Sequence, residues 1–303
     1  MQFSRNIEDY PEGIILPIDK PYRWTSADVI RKIKWAAIRH FGKKNLKVGH
    51  AGTLDPLATG LLLVCIGPAT RRAEELQRSP KEYLAGITFG ATTPSYDLEK
   101  APEEFFALPQ GFGPGMIEAA LPAFIGQQDQ IAPLFSAKSV DGARAYEMAR
   151  KLYRSTHGQA SPLPEGDVSA AGFDMLQRSR ITIYDLNLVG CENGTPRNVI
   201  ADPRFDEAGQ MAAMDPTGEC TGGRFNDTGE GRIRVAGLGD REYTTALLRV
   251  GCSKGTYIRA LARDLGEALG TGAFLSSLRR TANGGFTIAD AVSVREAMEM
   301  LKQ

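Results

Sequence analysis

A chain of 303 residues can bury a large core in one or two domains, and its 36 basic and 36 acidic side chains leave a formal net charge of zero, which argues against indiscriminate nucleic-acid binding. No run approaches the roughly 18 apolar residues of a membrane span, and the opening residues lack the pattern of a signal peptide, so a cytoplasmic protein without membrane contact is expected. Four dispersed cysteines (Cys65, Cys191, Cys220, Cys252) and three dispersed histidines (His40, His50, His157) lack metal-ligand spacing, which predicts reduced thiols and no metal site.

In chain order, Ile14 to Pro21 reads as a short strand, and Thr25-Ser26-Ala27-Asp28 offers an N-cap for a helix through about His40. Val29, Ile33 and Ala37 give that helix one apolar face. Between Lys20 and His50 stand nine Lys or Arg against the single acid Asp28, either a phosphate footprint or a solvated face. The apolar run Leu61 to Ile66 reads as a buried strand, Pro68 to Arg71 opens a helix, and Tyr83 to Phe89 alternates like a strand. Thr92, Thr93 and Asp97 make a polar loop, Gly113 to Gly126 contains a helix, and Asp141 to Arg154 is an amphipathic one. Arg180 to Val189 and Thr245 to Cys252 read as strands, Gly255 to Gly270 as a helix, and Val292 to Leu301 as a last helix. Strands and helices interleave without the regular alternation of a doubly wound sheet, so the class is α+β.

Two segments break the pattern. Ser155 to Gln177 is rich in Ser, Pro and Gly, and Cys191 to Tyr243 holds nine glycines with turn pairs such as Asp202-Pro203. Within the latter, Glu192 to Glu242 carries ten acids against six arginines and no lysine. Such a stretch would repel phosphate and has little core of its own, so it is expected to sit away from a catalytic cleft. Its arginines could alternatively form a phosphate-binding arm.

The most informative stretch is Gly49-His50-Ala51-Gly52-Thr53-Leu54-Asp55-Pro56-Leu57-Ala58-Thr59-Gly60. It places a carboxylate in a Gly- and Pro-bent loop beside the buried Leu61 strand, where Asp55 is either a reacting group or an Asx-type turn. Further on, Gly255-Thr256-Tyr257-Ile258-Arg259 runs into a helix start, where an arginine could face a buried carboxylate and keep it ionised.

The Asp55 stretch as a whole resembles the catalytic loop of the tRNA pseudouridine-55 synthase (TruB) family. So, in family order, do Lys20-Pro21 with Thr25-Ser26, Lys81-Glu82-Tyr83, Phe135-Ser136-Ala137 with Gly142 to Arg150, the Arg259 motif, and Leu278-Arg279-Arg280-Thr281. The resemblance implies a pseudouridine-synthase-like mixed, mainly antiparallel sheet flanked by helices. It implies a single catalytic domain over 1–303, with a helical RNA-binding insertion at about 127–178. Two departures from the family pattern are expected: the Gly-rich acidic insertion at 191–243 has no counterpart in it, and the short stretch after Val292 leaves no C-terminal RNA-binding domain of the kind the better-known members carry. Asp55 becomes the catalytic carboxylate, Arg259 its partner, and Tyr83 the ring under the target base. Leu278 packs at the site, and Lys20, His50, Gly52 and Thr53 join the substrate-binding set. No cofactor is implied, and the partner is the T-loop of tRNA, handled by a monomer with no accessory protein. Two other readings stay open: a guide-RNA-dependent catalytic subunit, and a non-catalytic RNA-folding module in which Asp55 is merely structural.

Overall fold

Ala58–Ile66 is buried at all nine positions, which a strand achieves only where both faces of a sheet are covered. The computed structural model describes residues 3–133, 178–194, 233, 235–239 and 241–302, with the backbone of 139–140 and 143–144. Its main elements are β1 (Ile14–Lys20), α1 (Ser26–Phe41), β2 (Val48–His50), β3 (Ala58–Ile66), α2 (Ala73–Arg78), β4 (Lys81–Phe89), α3 (Pro114–Ala120) and β5 (Gly126–Ile131). They continue with β6 (Arg178–Gly194), β7 (Tyr243–Cys252), α4 (Ile258–Ala268), β8 (Ala273–Asn283), β9 (Phe286–Thr287), β10 (Val292–Ser293) and α5 (Val294–Met300).

Ten strands form one sheet in the order β10-β1-β3-β8-β4-β7-β6-β5, with β2 pairing to β3 and β9 to β8. Only β1 with β10 and β3 with β8 run parallel; the other pairs are antiparallel, so the expected α+β class holds. The major core joins Val29 and Ile33 of α1, Leu261 and Leu265 of α4, and Leu62, Ile87, Leu248 and Leu278 of the central strands. A smaller cluster covers the opposite side of β3 through Leu61, Leu63, Cys65 and Leu76.

The N-cap predicted for α1 is present and is half of a capping box: Thr25 accepts from the Asp28 amide, Asp28 accepts from the Thr25 amide, and Gly42 closes the helix in the left-handed conformation. β4 is buried at every position but Glu82, because β8 and β7 flank it and both its faces are covered, so it shows no alternation. The helix expected at Pro68 begins as a 3-10 turn over Gly67–Arg72. Residues 126–131 form β5, antiparallel to β6, so the segment taken as a helical insertion from 127 starts as a strand. Ala143–Arg144 pairs with Ser139–Val140 as strand, not as the start of the helix expected from Asp141. The rest of that helix, Phe135 to Ala137, and most of Gly142 to Arg150 lie outside the described residues.

The acidic segment also starts later than expected, since β6 runs on to Gly194, which pairs with Tyr243. Its returning end does not keep clear of the Asp55 loop. Ile233, Val235 and Leu238 pack in a cluster with Leu57, Leu98, Tyr243 and Phe274. Backbone contacts fix them there: Ala236 donates its amide to Leu98 O at 2.8 Å, and Arg23 donates to Ile233 O through Nε at 3.1 Å and Nη2 at 2.8 Å.

Candidate active site

Asp55 lies in the loop between β2 and β3, and side chains from distant elements hold the carbonyls around it. Asn283 Nδ2 donates to Ala51 O at 3.2 Å, and Arg280 Nη2 to Gly52 O at 3.1 Å. The Ser26 hydroxyl both donates to Leu54 O at 3.2 Å and accepts from the Leu54 amide at 3.0 Å. Lys20 Nζ donates to Pro56 O at 3.2 Å, as well as to Trp24 O at 2.6 Å and Pro21 O at 3.1 Å. A loop held at four points keeps its carboxylate where the fold puts it, which is what positioning for chemistry requires.

Arg259, the second residue of α4, reaches that carboxylate. Its Nε lies 2.9 Å from Asp55 Oδ2 and 3.6 Å from Asp97 Oδ2, and its Nη1 donates to Ser95 O at 3.1 Å. Its side chain is 5% exposed against 39% for Asp55, so the cation is buried while the carboxylate it serves still faces solvent. Burial works against charge on Arg259, but Asp55 and Asp97 more than offset it and raise its pKa above the ordinary value. Burial pushes the Asp97 carboxyl up, with Arg259 opposing and the like charge of Asp55 adding to the rise. Asp97 is itself fixed by Ser95 Oγ at 2.7 Å and the Glu99 amide at 2.9 Å.

Asp55 and Asp97 line one small concavity together with Leu57, Ala58, Leu275 and Leu278. A larger cavity of about 510 Å³ shares the Thr93–Tyr96 loop but opens towards Arg263 and excludes Asp55. The assignment of the site therefore rests on the paired carboxylates and not on cavity size.

Tyr83 and Leu278 belong to the same region. Tyr83 pairs with Arg280 across β4 and β8, and Leu278 pairs with both Ala85 and Ala58. Burial pushes the Tyr83 phenol up, and the charge of Arg280 pulls it part of the way back. His50, half-buried in β2, has an Nδ1 without a hydrogen-bond partner, and burial and Arg280 lower its pKa, so it is a neutral ring at neutral pH. Thr53 is exposed on the loop, whereas Gly52, at φ +99°, turns the chain. Lys20 is placed differently from a substrate contact: it is fully buried behind the loop, with its ammonium taken up by three carbonyls. Sequence reasoning left Asp97 as a loop residue and gave Arg280 no role of its own, because their partners lie far away along the chain.

Residues 39–195 match the family model of the TruB family pseudouridylate synthase N-terminal domain, and residues 259–303 that of the tRNA pseudouridylate synthase B C-terminal domain. The chain belongs to the TruB family of pseudouridylate synthases. It is an enzyme of the isomerase class. It is 38% identical over 296 residues to a protein of Phocaeicola vulgatus named tRNA pseudouridine synthase B, covering 97% of this chain and 96% of that one. Relatives of the same name in Flavobacterium johnsoniae and Deinococcus radiodurans are 34% and 35% identical, covering 97% and 94% of this chain and 99% and 78% of their own. Among solved structures, an archaeal box H/ACA sRNP Nop10-Cbf5 complex contains a chain that matches with a TM-score of 0.51 at 20% identity. That match covers 98% of this chain and 56% of the other, and it bears on the fold alone. Among the described residues no helix is long and apolar enough to cross a membrane.

Proposed function

We propose that the protein converts a uridine in the T-loop of tRNA to pseudouridine, with Asp55 as the carboxylate that acts at the sugar. The observation that carries this reading is the Asp55–Arg259 pair at 2.9 Å, in which a buried cation presents a half-exposed carboxylate to a concavity walled by Leu278. The reaction breaks the glycosidic carbon–nitrogen bond and rejoins the base through C5, so it needs a fixed carboxylate near C1′ and a wall to hold the detached base. Asp55 either attacks C1′ or removes the C2′ proton to give a glycal. The target base leaves its stack at a cost of a few kcal/mol and is received between aromatic and apolar side chains. Tyr83 and Leu278 supply that wall, the neutral ring of His50 fills the space the base vacates, and Thr53 meets the RNA at the loop rim. The protein acts in the cytoplasm as a monomer and needs no accessory protein.

Tritium release from 5-tritiated uridine in transcript tRNA, with the purified protein alone, separates the readings. The enzyme releases it unaided, a guided subunit requires an added RNA, and a folding module releases none. Asp55→Asn should abolish release while changing tRNA affinity by less than about tenfold, because the carboxylate does chemistry and Lys and Arg supply binding. Turnover by that variant would remove the central claim.

A further inference from the structure

The loop that carries Asp97 is bent in a way its residues do not favour. Among the described residues only Arg23 and Tyr96, glycines aside, have a positive φ, and that of Tyr96 is +54°. A bulky side chain in this left-handed region is strained, and such strain persists only where neighbouring contacts hold it. Here the backbone is tied down around it. The Tyr96 amide donates to Thr93 O at 3.0 Å, Tyr96 O accepts from the Leu275 amide at 2.9 Å, and Thr93 Oγ1 donates to Asp97 O at 2.7 Å. The ring is met by Arg263, whose guanidinium carbon lies 5.4 Å from its centroid, within the roughly 6 Å at which a cation is attracted to an aromatic face.

Arg263 stands four residues after Arg259 on α4, so the two guanidiniums leave one face of the helix a turn apart. Three consecutive loop residues meet that face. Ser95 O accepts from Arg259 Nη1 at 3.1 Å, the Tyr96 ring lies under Arg263, and Asp97 Oδ2 is 3.6 Å from Arg259 Nε. Arg263 is itself buried and fixed, by Asp264 Oδ1 at 2.7 Å from Nε and 2.6 Å from Nη2, and by Ile131 O at 3.2 Å from Nη2. Both Tyr96 and Arg263 line the cavity of about 510 Å³, so on that side the ring has open space and not a packed wall.

We propose that Arg263 and Tyr96 clamp this strained turn and thereby hold Ser95 and Asp97 against Arg259, which makes both of them positioning residues for Asp55. This rests on the proposed reading in which Asp55 acts at the sugar. Arg259 meets Asp55 through Nε, and two more of its acceptors, Ser95 O and Asp97, flank Tyr96 in the chain. With the ring released from Arg263, the turn relaxes towards the backbone a tyrosine favours, Arg259 loses those anchors, and the carboxylate is no longer held at one angle. A reacting group slightly out of place costs rate. Neither Tyr96 nor Arg263 lines the concavity that holds Asp55, so RNA affinity is left alone.

The test separates ring, backbone and cation. Tyr96→Asn removes the ring but accepts the left-handed backbone, and its single-turnover tritium release should fall about threefold or more while its affinity for transcript tRNA stays within about twofold. Tyr96→Phe keeps the ring and should stay within about twofold of the wild-type rate. Because the clamp acts through Asp97, Tyr96→Asn should add less than about twofold to the defect of Asp97→Asn. A wild-type rate in Tyr96→Asn or in Asp97→Asn overturns the proposal, and so does a Tyr96→Asn defect as large in the Asp97→Asn background as in wild type. Arg263→Met should be at least as slow as Tyr96→Asn, and combining the two should slow Arg263→Met by no more than about twofold further. Defects that multiply refute the contact. Should Tyr96→Asn not fold, Tyr96→Gly accepts the same backbone and carries the test. Turnover by Asp55→Asn would instead remove the reading of Asp55 on which the clamp depends.

Discussion

Asp55 does not have Arg259 to itself. The guanidinium lies between two carboxylates, closer to Asp55 than to Asp97, and spends another donor on Ser95 O. A lysine can reach one of these acceptors but cannot hold a planar fork across several, so Arg259→Lys should lose at least about a hundredfold in single-turnover rate. Asp97→Asn keeps the shape but removes one of the charges, and an intermediate loss of about tenfold is expected. Equal rates in wild type and Asp97→Asn would make Asp97 a loop brace only. Asp55, Tyr83 and Arg259 were legible in sequence because each sits in a contiguous motif. Asp97 and Arg280 were not, since Asp97 meets its partner Arg259 across 162 positions (259 − 97) and the contacts of Arg280 span 219 and 228, which leaves no local spacing to read. The burial of Lys20 was hidden for a related reason, since a lysine counted within a basic stretch shows no sign of it until its carbonyl acceptors are located. Burial, with Arg280 adding to it and Asp55 opposing, lowers its pKa to about 7 from 10.5. Between those values the unfolded chain holds a proton that the folded chain has released, so stability rises with pH across that window and is flat in this respect below it. Urea unfolding from pH 7 to 10 should show wild type gaining about 1 to 3 kcal/mol more than Lys20→Met does. Parallel pH curves would place the charge elsewhere.

At the scale of elements, the sheet's central strands were the easiest to see, and β8 was the one overlooked. Leu61 to Ile66 announces itself as an unbroken apolar run, whereas Ala273–Asn283 mixes Phe274, Leu275 and Leu278 with Ser276, Arg280 and Asn283, all of them buried. Neither apolar periodicity fits, because Ser276, Arg280 and Asn283 each find a hydrogen-bond partner within the fold, although Asn283 Oδ1 has none. Ser276 Oγ donates to Gly86 O at 3.0 Å and accepts from Thr88 Oγ1 at 2.8 Å. Register irregularities between Leu275 and Ser277 and between Arg280 and Ala282 bracket the short stretch that presents Leu278 and Arg280 to the site, a common use of bulges. The partner position on β3 must be glycine. Gly60 has φ +94°, and a Cβ there would lie 2.4 Å from Arg280 O and 2.8 Å from Arg280 N. Gly60→Ala is therefore expected to destabilise the protein by about 2 kcal/mol or more, through backbone strain together with forced separation of β3 and β8. A melting temperature within a degree of wild type would show that the strands adjust freely.

For the molecule as a whole, the zero net charge combines a basic N-terminal region with an acidic segment, but the two are not equally free to act on RNA. Several of the basic residues are already engaged: Lys43 pairs with Glu8 at 2.9 Å, Arg31 with Asp28 at 2.8 Å, and Arg39 lies over the Trp35 ring at 4.7 Å. These are exposed contacts of small energy that RNA phosphates could displace. The acidic segment is different, because its returning end is part of the Asp55 site's support. Leu238 and Tyr243 are buried beside Leu57 and Leu98, each a near neighbour in sequence of one of the two paired aspartates. Removing a buried leucine from such a cluster costs about 2 to 5 kcal/mol, and here the loss falls on the loops that carry Asp55 and Asp97. Composition gave no sign of this, since Ile233, Val235 and Leu238 are apolar positions scattered among glycines. Replacing residues 195–232 with a flexible linker, leaving β6 to Gly194 and the chain from Ile233, should keep single-turnover activity within about threefold of wild type, because the entropic cost of closing a connection grows only slowly with its length. Extending the replacement through Glu242 should lower the rate by more than about tenfold while the sheet still forms, because the cluster under Leu57 is emptied. If the shorter replacement loses tRNA affinity by more than about tenfold and keeps its fold, the four arginines it removes (Arg197, Arg204, Arg224 and Arg232) act as a phosphate-binding arm, and the net negative charge of the segment is a poor guide to its role.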